Sequence, residues 1–339
     1  MESAQTRSRR SIWLITISNP LVLLLLIGIL LFTMLIALMQ GAVPLTPSEV
    51  WQALWHRGDA THQVIVWDLR LPRILAGVLV GAALGLSGAL LQGMLRNGLA
   101  EPYLLGVSAG AGIVAIILIT LGVLQTWVPL AAWVGAVTAA FVVYALGRTS
   151  NGVAVERLIL GGVAVSSLLF AVQTVFLLLA EEGRVQAALV WLAGSLNGRG
   201  WREVSMAFPY LAIALVAGCL LGRSLNCLTL GDDIAVSLGI SLQRSRLYIT
   251  ALATLLTAGA VSIAGLVGFV GLLIPNGVRL FVGSDYRWVL PLSALGGAWM
   301  LTAADLLARL TPVELPVGAV TALLGAPLFI ALLYQRGKR

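Results

Sequence analysis

The sequence predicts an all-α polytopic membrane protein with about ten transmembrane helices and both termini in the cytoplasm. Apolar residues make up 59% of the 339 residues, and charged residues make up only 10%. A soluble domain carries roughly 25% charged residues, so most of the surface of this chain must face lipid. Uncharged apolar stretches recur along the sequence at about 20 residues, the length of a helix that crosses the hydrocarbon core of a bilayer.

Ten predicted spans follow when the apolar stretches are divided at charged or Pro/Gly-rich breaks. Their limits are 13–40, 74–94, 103–122, 128–147, 158–180, 206–222, 248–265, 267–282, 288–308 and 317–334. The two stretches beside Gly265 can also be read as one long segment. The first stretch follows a group of arginines, as a signal peptide would, but its apolar core is longer than that of a typical signal peptide. We therefore expect it to be retained, and 1–339 to form a single transmembrane domain.

The basic residues set the orientation of this domain. Ten spans place both termini on one side, and the positive-inside rule identifies that side as the cytoplasm. Fourteen of the 21 basic residues then lie in cytoplasmic segments: Arg7, Arg9, Arg10, Arg96, Arg148, Arg157, Arg223, Arg244, Arg246, Arg279, Arg287, Arg336, Lys338 and Arg339. The other seven lie outside: Arg57, Arg70, Arg73, Arg184, Arg199, Arg202 and Arg309. Because the basic residues are scattered singly, the net charge of +7 does not indicate a nucleic-acid surface.

Residues that could carry chemistry are few. The one lysine, Lys338, lies outside any P-loop pattern, which needs G-x-x-x-x-G-K-[ST]. The histidines His56 and His62 have no cysteine or paired carboxylates nearby and make a poor metal site. Cys219 and Cys227 lie in apolar surroundings and are expected to be buried or free thiols. We therefore expect a non-catalytic chain with no metal site or cofactor of its own, so that any metal would arrive already chelated.

Glycines recur at four-residue spacing inside the predicted spans. Examples are Gly77, Gly81 and Gly85, and then Gly106 and Gly110. Such faces let helix backbones approach closely in lipid. Tight packing within a bundle is the simpler interpretation, and a sliding interface that forms a gate is the alternative.

Three arginines oppose the positive-inside bias at the ends of predicted spans. Arg70 and Arg73 precede the second span, and Arg309 ends the ninth. These side chains could bind headgroup phosphates, or they could dock onto carboxylates of a soluble partner. Asp305 lies one turn before Arg309 and can pair with it at i, i+4. An acid inside a span is also a functional candidate in its own right.

The longest polar cytoplasmic segment runs over 223–246. Asp232 and Asp233 suit the start of a short helix, Gly239 suits the position just past its end, and a second short helix can begin at Ser241. The accompanying apolar side chains look buried, which an ordinary solvated loop does not explain and a knob inserted into a cytoplasmic partner does. The residues predicted to form this coupling contact are Leu230, Gly231, Asp232, Asp233, Ala235, Leu238 and Gly239.

The ordered motifs of the chain resemble the permease family of bacterial iron–siderophore, haem and cobalamin ABC importers. The similarity covers about residues 68 to 334. It is carried by the stretches 70–73 (RLPR), 88–92 (GALLQ), 97–102 (NGLAEP), 105–111 (LGVSAGA), 191–196 (WLAGSL), 230–233 (LGDD), 268–272 (GFVGL), 304–309 (ADLLAR) and 314–318 (ELPVG).

The resemblance implies an assembly in the bacterial cytoplasmic (inner) membrane. In that family two permease subunits enclose a path, two ATPase subunits below them bind ATP and Mg, and a periplasmic or lipid-anchored substrate-binding protein docks above. The second permease subunit would be a copy of this chain or a paralogue. Arg70 and Arg309 would meet acidic residues of the binding protein, and 232–246 would sit in the ATPase cleft. The cytoplasmic gate would consist of the turn at Asn97, Gly98 and Leu99 and the start of the fifth span near Glu156.

The sequence departs from the family pattern at three points. Gly98 replaces the usual proline, which we expect to loosen the gate turn, Gly265-Leu266 replaces Gly-Pro, and Pro275-Asn276 replaces Pro-His. Polar side chains that could line the path are Ser166, Ser167, Gln173 and Asn276. Ordinary hydrogen bonding between helices is the simpler interpretation for each of them.

The sequence therefore predicts the permease subunit of an ATP-driven importer that moves a ferric siderophore into the cytoplasm by alternating access. Haem and cobalamin are the alternative substrates. An ion-coupled secondary transporter is the alternative from another class. It would need membrane-embedded acids, of which only Asp305 clearly qualifies.

Overall fold

The computed structural model of the protein describes residues 19–149 and 152–336. The beginning of the first predicted span, at residue 13, falls outside these ranges. So do five basic residues used to orient the chain: Arg7, Arg9, Arg10, Lys338 and Arg339.

The described chain is almost entirely helical, as a polypeptide in lipid must be when its backbone polar groups have no water to bind. The α-helices are α1 (Asn19–Met39), α2 (Pro47–Leu54), α3 (Ala60–Val64), α4 (Leu71–Met94), α5 (Val107–Leu121), α6 (Val128–Gly147), α7 (Val155–Leu179), α8 (Glu182–Leu192), α9 (Trp201–Leu220), α10 (Gly222–Thr229), α11 (Asp232–Ser237), α12 (Leu242–Ala264), α13 (Val270–Val282), α14 (Tyr286–Arg309) and α15 (Val317–Arg336). A π-helical turn (Ile65–Arg70) joins α3 to α4, and 3₁₀ turns (Pro102–Leu105 and Gln125–Trp127) precede α5 and α6. Two short antiparallel strands, β1 (Arg148–Thr149) and β2 (Gly152–Val153), connect α6 to α7.

Ten apolar helices correspond to the ten predicted spans. Seven in the described chain are long and apolar enough to cross a membrane, and three shorter ones are Val107–Leu121, Val270–Val282 and the Val317–Ala331 part of α15. With 13 residues, α13 is about 20 Å long, less than the ~30 Å hydrocarbon core. The structure also decides the ambiguity at Gly265, because α12 ends at Ala264 and α13 begins at Val270.

Two predicted boundaries need correction, and one helix was not predicted. The span predicted to begin at 248 begins at Leu242, so the second short helix expected from Ser241 is the first part of α12. The span predicted over 206–222 begins at Trp201. Helix α8 was not predicted, because it is short and its apolar residues show little helical periodicity.

The centre of the bundle is formed by α4, α12 and α14, which are buried over most of their length. Antiparallel α4 and α14 approach so closely that a Cβ on Gly81 would overlap the carbonyl oxygen of Gly297, and one on Gly85 would overlap that of Ser293. The four-residue spacing of glycines thus serves tight helix packing, the simpler of the two interpretations. Helices α4 and α12 are further joined by the hydroxyls of Ser87 and Thr257, 2.7 Å apart.

The bundle has two ends, which we name by the predicted orientation. The outer end carries α2, α3, the start of α4 and the end of α14. The inner end carries α10, α11, the end of α4 and the start of α14. Helix α7 lies at the edge, and only three of its residues are buried within this chain: Leu158, Gly162 and Gln173.

Candidate functional site: an outer ionic network and an inner gate

An ionic network of Arg73, Asp305, Arg309 and Glu314 lies at the outer end. Arg73 Nη2 is 2.7 Å from Asp305 Oδ1 and 2.5 Å from Glu314 Oε1, and Arg309 Nε is 3.2 Å from Asp305 Oδ2. The side chain of Asp305 is 3% exposed, and those of Arg73 and Arg309 are 11% and 8% exposed. Two cations and two carboxylates balance, as buried charges must. The predicted pair of Asp305 and Arg309 is present, and Arg73 is a partner that spacing along the sequence did not reveal.

Arg70 lies near this network but binds backbone. Its Nη1 donates to the carbonyl oxygen of Leu38 at 2.5 Å, and its Nη2 donates to the carbonyl oxygen of Val43. Leu38 belongs to the last turn of α1, where helix carbonyls lack partners within the helix and a cation is favoured by the helix dipole. Buried Arg70 therefore ties the end of α1 to the start of α4.

These contacts restrict the docking prediction for Arg70, Arg73 and Arg309. All three guanidinium groups contact carboxylates or carbonyls of this chain, so none presents itself to a soluble partner without rearrangement. Their docking role stays a prediction. Side chains that are exposed at the same end are Trp51, Trp55 and Arg57.

The predicted gate turn, between α4 and the 3₁₀ turn before α5, is held at both ends. Asn97 Oδ1 accepts from the backbone N–H of Leu99 at 2.9 Å. The carbonyl oxygen of Gly98 accepts from Asn276 Nδ2 at 2.7 Å, and the same amide donates to the carbonyl of Leu272 at 2.8 Å. Asn276 on α13 is buried. Two of the positions that depart from the family pattern, Gly98 and Asn276, therefore contact each other. That Gly98 loosens the turn stays a prediction.

Gln92 and Arg279 lie close to the predicted gate turn and were not predicted as site residues. Gln92 Nε2 donates to the carbonyls of Ala100 and Gly271 at 3.3 and 3.2 Å, and its Oε1 accepts from Arg279 Nη1 at 2.6 Å. Arg279 Nη2 in turn donates to the Tyr286 hydroxyl at 3.0 Å. An amide inside an apolar span was the one signal in the sequence that could have indicated Gln92.

Two further side chains satisfy the non-helical backbone between α12 and α13. Glu101 Oε1 accepts from the N–H of Phe269 at 3.0 Å. The hydroxyl of Tyr103 donates to the carbonyl of Val267 at 2.9 Å and accepts from its N–H at 2.8 Å. Irregular backbone inside a membrane bundle requires such partners. Burial raises the pKa of the Glu101 carboxyl, and the hydrogen bond from Phe269 opposes that rise.

The polar segment 223–246, the predicted coupling segment, contains the predicted short helix α11, and Asp232 ties it to the bundle. Asp232 Oδ2 is 2.8 Å from Arg246 Nη2, and Oδ1 pairs with Arg96. Arg96 directly precedes the gate turn and Arg246 lies near the start of α12, so one carboxylate joins α11 to both. Gly231 (φ +119°) and Gly239 (φ +82°) bound the helix with backbone conformations that side chains disfavour.

Apolar side chains of this segment point away from the chain. Leu230 is 60% exposed, Ile234 48%, Val236 55% and Leu238 57%, whereas Ala235 is fully buried. The expectation that they are buried holds within this chain for Ala235 alone. We call the four exposed residues the coupling surface, because such a patch on a protein surface marks a contact with another molecule. The side chain of the neighbouring Asp233 makes no hydrogen bond or ion pair with the described residues.

The residues predicted to line a path do not form one cluster. Ser166 is half-buried and Ser167 exposed on α7, and Glu156 is exposed at the inner start of the same helix. Gln173 is buried, and its Oε1 has no hydrogen-bond partner in the described chain. Asn276 instead contacts the predicted gate turn. Path lining and the gate role of Glu156 stay predictions.

No metal site is formed by the described residues, since no three His, Cys, Asp or Glu side chains come together. His56 stacks on Trp67 with ring centroids 4.9 Å apart. Cys219 and Cys227 are both free.

Comparison with known proteins shows the family to which the chain belongs. Residues 29–335 match the model of the FecCD transport family. The chain is 45% identical over 280 residues to the cobalamin import system permease protein BtuC of Halobacterium salinarum, covering 82% of this chain and 76% of that protein. It is 39% identical to the ferric enterobactin transport system permease protein FepG of Escherichia coli, covering 89% and 92%. It is 35% identical to the hemin transport system permease protein HmuU of Yersinia pestis, covering 93% and 97%.

Solved structures show the same fold. An ABC transporter assigned to the metal-chelate type, in an inward-facing conformation, superimposes with a TM-score of 0.84 at 30% identity, covering 93% of this chain and 99% of that one. The Streptococcus pneumoniae PsaBC complex gives a TM-score of 0.52 at 15% identity, which shows a likeness of fold alone. The chain belongs to the FecCD transport family and is a multi-pass, non-catalytic permease subunit of an ABC transporter, in which a separate subunit hydrolyses ATP.

Proposed function

We propose that this permease carries a ferric siderophore across the bacterial inner membrane into the cytoplasm. It would act with a second permease subunit, identical or paralogous, and with two ATPase subunits that bind ATP and Mg. A periplasmic or lipid-anchored protein would deliver the chelate. The stretches 191–197 and 231–246 support the siderophore, because they resemble siderophore permeases more than other members of the family.

The observation that carries the mechanism is the double ion pair of Asp232. The coupling surface lies on and beside α11, and Asp232 connects α11 to Arg96 before the gate turn and to Arg246 on α12. An ATPase that moves the coupling surface would therefore pull on both elements. The gate turn is in turn bonded to α13 through Asn276, so closure below is transmitted to the inner end of the path.

Cobalamin is a second candidate substrate, and a specific observation favours it. The identity of 45% is with a protein named for cobalamin import, whereas the proteins named for ferric enterobactin and haemin are 39% and 35% identical. Because the chain belongs to a family of ABC permeases, the alternative hypothesis of an ion-coupled secondary transporter loses its support. Asp305, its one clear candidate acid, is also bound by two arginines.

The test is ATP hydrolysis by the detergent-purified complex in the presence of its binding protein. The binding protein is added empty, or loaded with a ferric siderophore, haem or cyanocobalamin. We expect the siderophore-loaded protein to stimulate hydrolysis most. If only the cyanocobalamin-loaded protein stimulated hydrolysis, cobalamin would take the place of the siderophore as the assigned substrate. Failure of an ATPase subunit to copurify would contradict the assignment of the chain to an ATP-driven importer. Reversing Arg70 or Arg309 is not a clean docking test, because both hold the outer end together.

A further inference from the structure

The segment between α8 and α9 is fixed in place by backbone contacts at the outer end. The N–H of Ser195 donates to the carbonyl of Ala264 at 2.7 Å, and the N–H of Gly318 donates to the carbonyl of Gly194 at 3.2 Å. Gly194 has φ +72°, and a Cβ there would overlap the carbonyl oxygen of Leu266. This segment is thus an integral part of the helix bundle, and its side chains have defined positions.

A cavity of about 420 Å³ lies beside this segment. Its walls come from α5, α8, the end of α12 and the loop before α15. The lining is mainly apolar with a few polar groups, the composition typical of small-molecule sites. The polar residues that line it are Ser195, Asn197, Arg199 and Glu314, and the apolar ones include Trp191 and Leu315.

Of the two charged residues that line the cavity, Glu314 has an ionic partner among the described residues and Arg199 has none. Its Nε is buried without a hydrogen bond, and among the described residues its guanidinium makes no ion pair within 4 Å. Glu203 acts on this guanidinium electrostatically without forming an ion pair, and its carboxylate accepts from the N–H of Gly200 at 2.9 Å at the start of α9. Burial lowers the pKa of Arg199, but an arginine stays protonated in proteins. The carboxylate that lines the cavity, that of Glu314, is already paired with Arg73.

A guanidinium whose Nε is shut off from water without a hydrogen bond is costly for a protein. The planar guanidinium fork matches the two oxygens of a carboxylate or a catecholate. We propose that this cavity binds an anionic oxygen group of the transported chelate through Arg199, with Ser195 and Asn197 as neighbouring hydrogen-bonding groups. The proposal rests on the proposed function and narrows it, because it makes this permease selective for negatively charged chelates over neutral ones.

The shape of the site favours a chelate over an acidic side chain of the binding protein. Arg199 lies within a recess that is walled by Trp191 and Leu315 and is much larger than one carboxylate. The outward-facing residues near this end, such as Arg57 and Arg202, are exposed and better suited to contact a protein surface.

The test is equilibrium binding of ⁵⁵Fe-labelled chelates to the purified permease–ATPase complex without ATP and without binding protein. The probes are ferric enterobactin and ferric citrate, which are anionic, and ferrichrome, which is neutral. The variants are Arg199→Gln and Arg199→Lys, with Arg202→Gln as the matched control. Arg202 is exposed in the first turn of α9 and does not line this cavity.

We expect Arg199→Gln to raise the Kd of an anionic chelate about ten- to a hundredfold, the value of a charged hydrogen bond. Arg199→Lys should give an intermediate loss, and Arg202→Gln and ferrichrome binding should be unaffected. Equal binding of anionic chelates to wild type and Arg199→Gln, or no saturable binding of either, overturns the proposal. So does an Arg199→Gln variant that binds chelates normally but loses affinity for the binding protein. Because no ATP is used, these results are separate from failure of ATP-driven import.

Discussion

At the scale of single residues, Asp305 holds two arginines within the outer ionic network. Arg73 and Arg309 both contact its carboxylate, and all three side chains are nearly inaccessible to water. Removing one partner of a buried ion pair leaves an uncompensated charge, which costs more than the pair contributes.

Asp305→Asn should therefore lower the free energy of unfolding by about 3–5 kcal/mol, measured by thermal or denaturant unfolding of the purified permease. Glu181→Gln is the matched control, because Glu181 is 77% exposed in its pair with Arg184 and such a surface pair is worth at most about 1 kcal/mol. Similar losses in the two variants would show that the outer ionic network is not a buried structural unit.

Glu101 provides a second residue-scale prediction. Glu101→Ala removes the acceptor for the N–H of Phe269, and an unsatisfied buried donor costs about 1–3 kcal/mol. Glu101→Gln keeps an accepting oxygen and should retain most of the stability. Equal destabilisation by both variants would contradict the role of Glu101 as acceptor at the break.

The pH dependence of stability follows from the same carboxyl. Burial raises the pKa of Glu101, so its protonated form is favoured in the folded chain. The stability that this group contributes is complete below the ordinary pKa of glutamate and is lost as the pH rises through the raised pKa. Unfolding of wild type measured across this window should show the loss, and Glu101→Gln should not show it.

At the scale of elements, the packing of α4 against α14 depends on backbone contact. A side chain on Gly81 has no room beside Gly297, whereas a Cβ on Gly28 in α1 meets nothing within 4 Å. Gly81→Ala should destabilise the permease by about 1–3 kcal/mol through overpacking. Gly28→Ala should be neutral or mildly stabilising, because alanine favours a helix. Thermal unfolding of the two variants distinguishes them, and an unchanged Gly81→Ala would contradict the close crossing.

The link between α11, α12 and the gate turn gives a second element-scale prediction. Asp232→Lys should uncouple ATP hydrolysis from uptake in proteoliposomes, since the new cation repels Arg96 and Arg246. Asp233→Lys changes charge by the same amount at the neighbouring position, which has no partner in the described chain, and should have the smaller effect. Normal uptake per ATP hydrolysed in Asp232→Lys would count against the coupling assignment.

At the scale of the whole molecule, the coupling surface is expected to be covered in the assembled transporter. Leu230→Ser and Leu238→Ser change side chains that are 60% and 57% exposed in this chain, so the permease itself should keep its stability. Copurification of the ATPase subunit should fall. Val313→Ser is the control, because Val313 is 76% exposed at the opposite end. Undiminished copurification of the ATPase in both leucine variants would show that this surface is not the contact.

The sequence by itself determined the helical membrane fold, the number of apolar helices, the short helix at Asp232 and the close packing of glycine faces. These features depend on local composition and on spacing within one helix, both of which can be read along the chain. Only the tertiary structure decided the partners of charges that lie far apart in sequence, as Arg73 and Asp305 do. The same holds for the break at Gly265 and for the contact of Asn276 with Gly98. Composition at these sites is compatible with several arrangements. Packing of distant helices selects the one in which most buried polar side-chain atoms of the described residues find a partner.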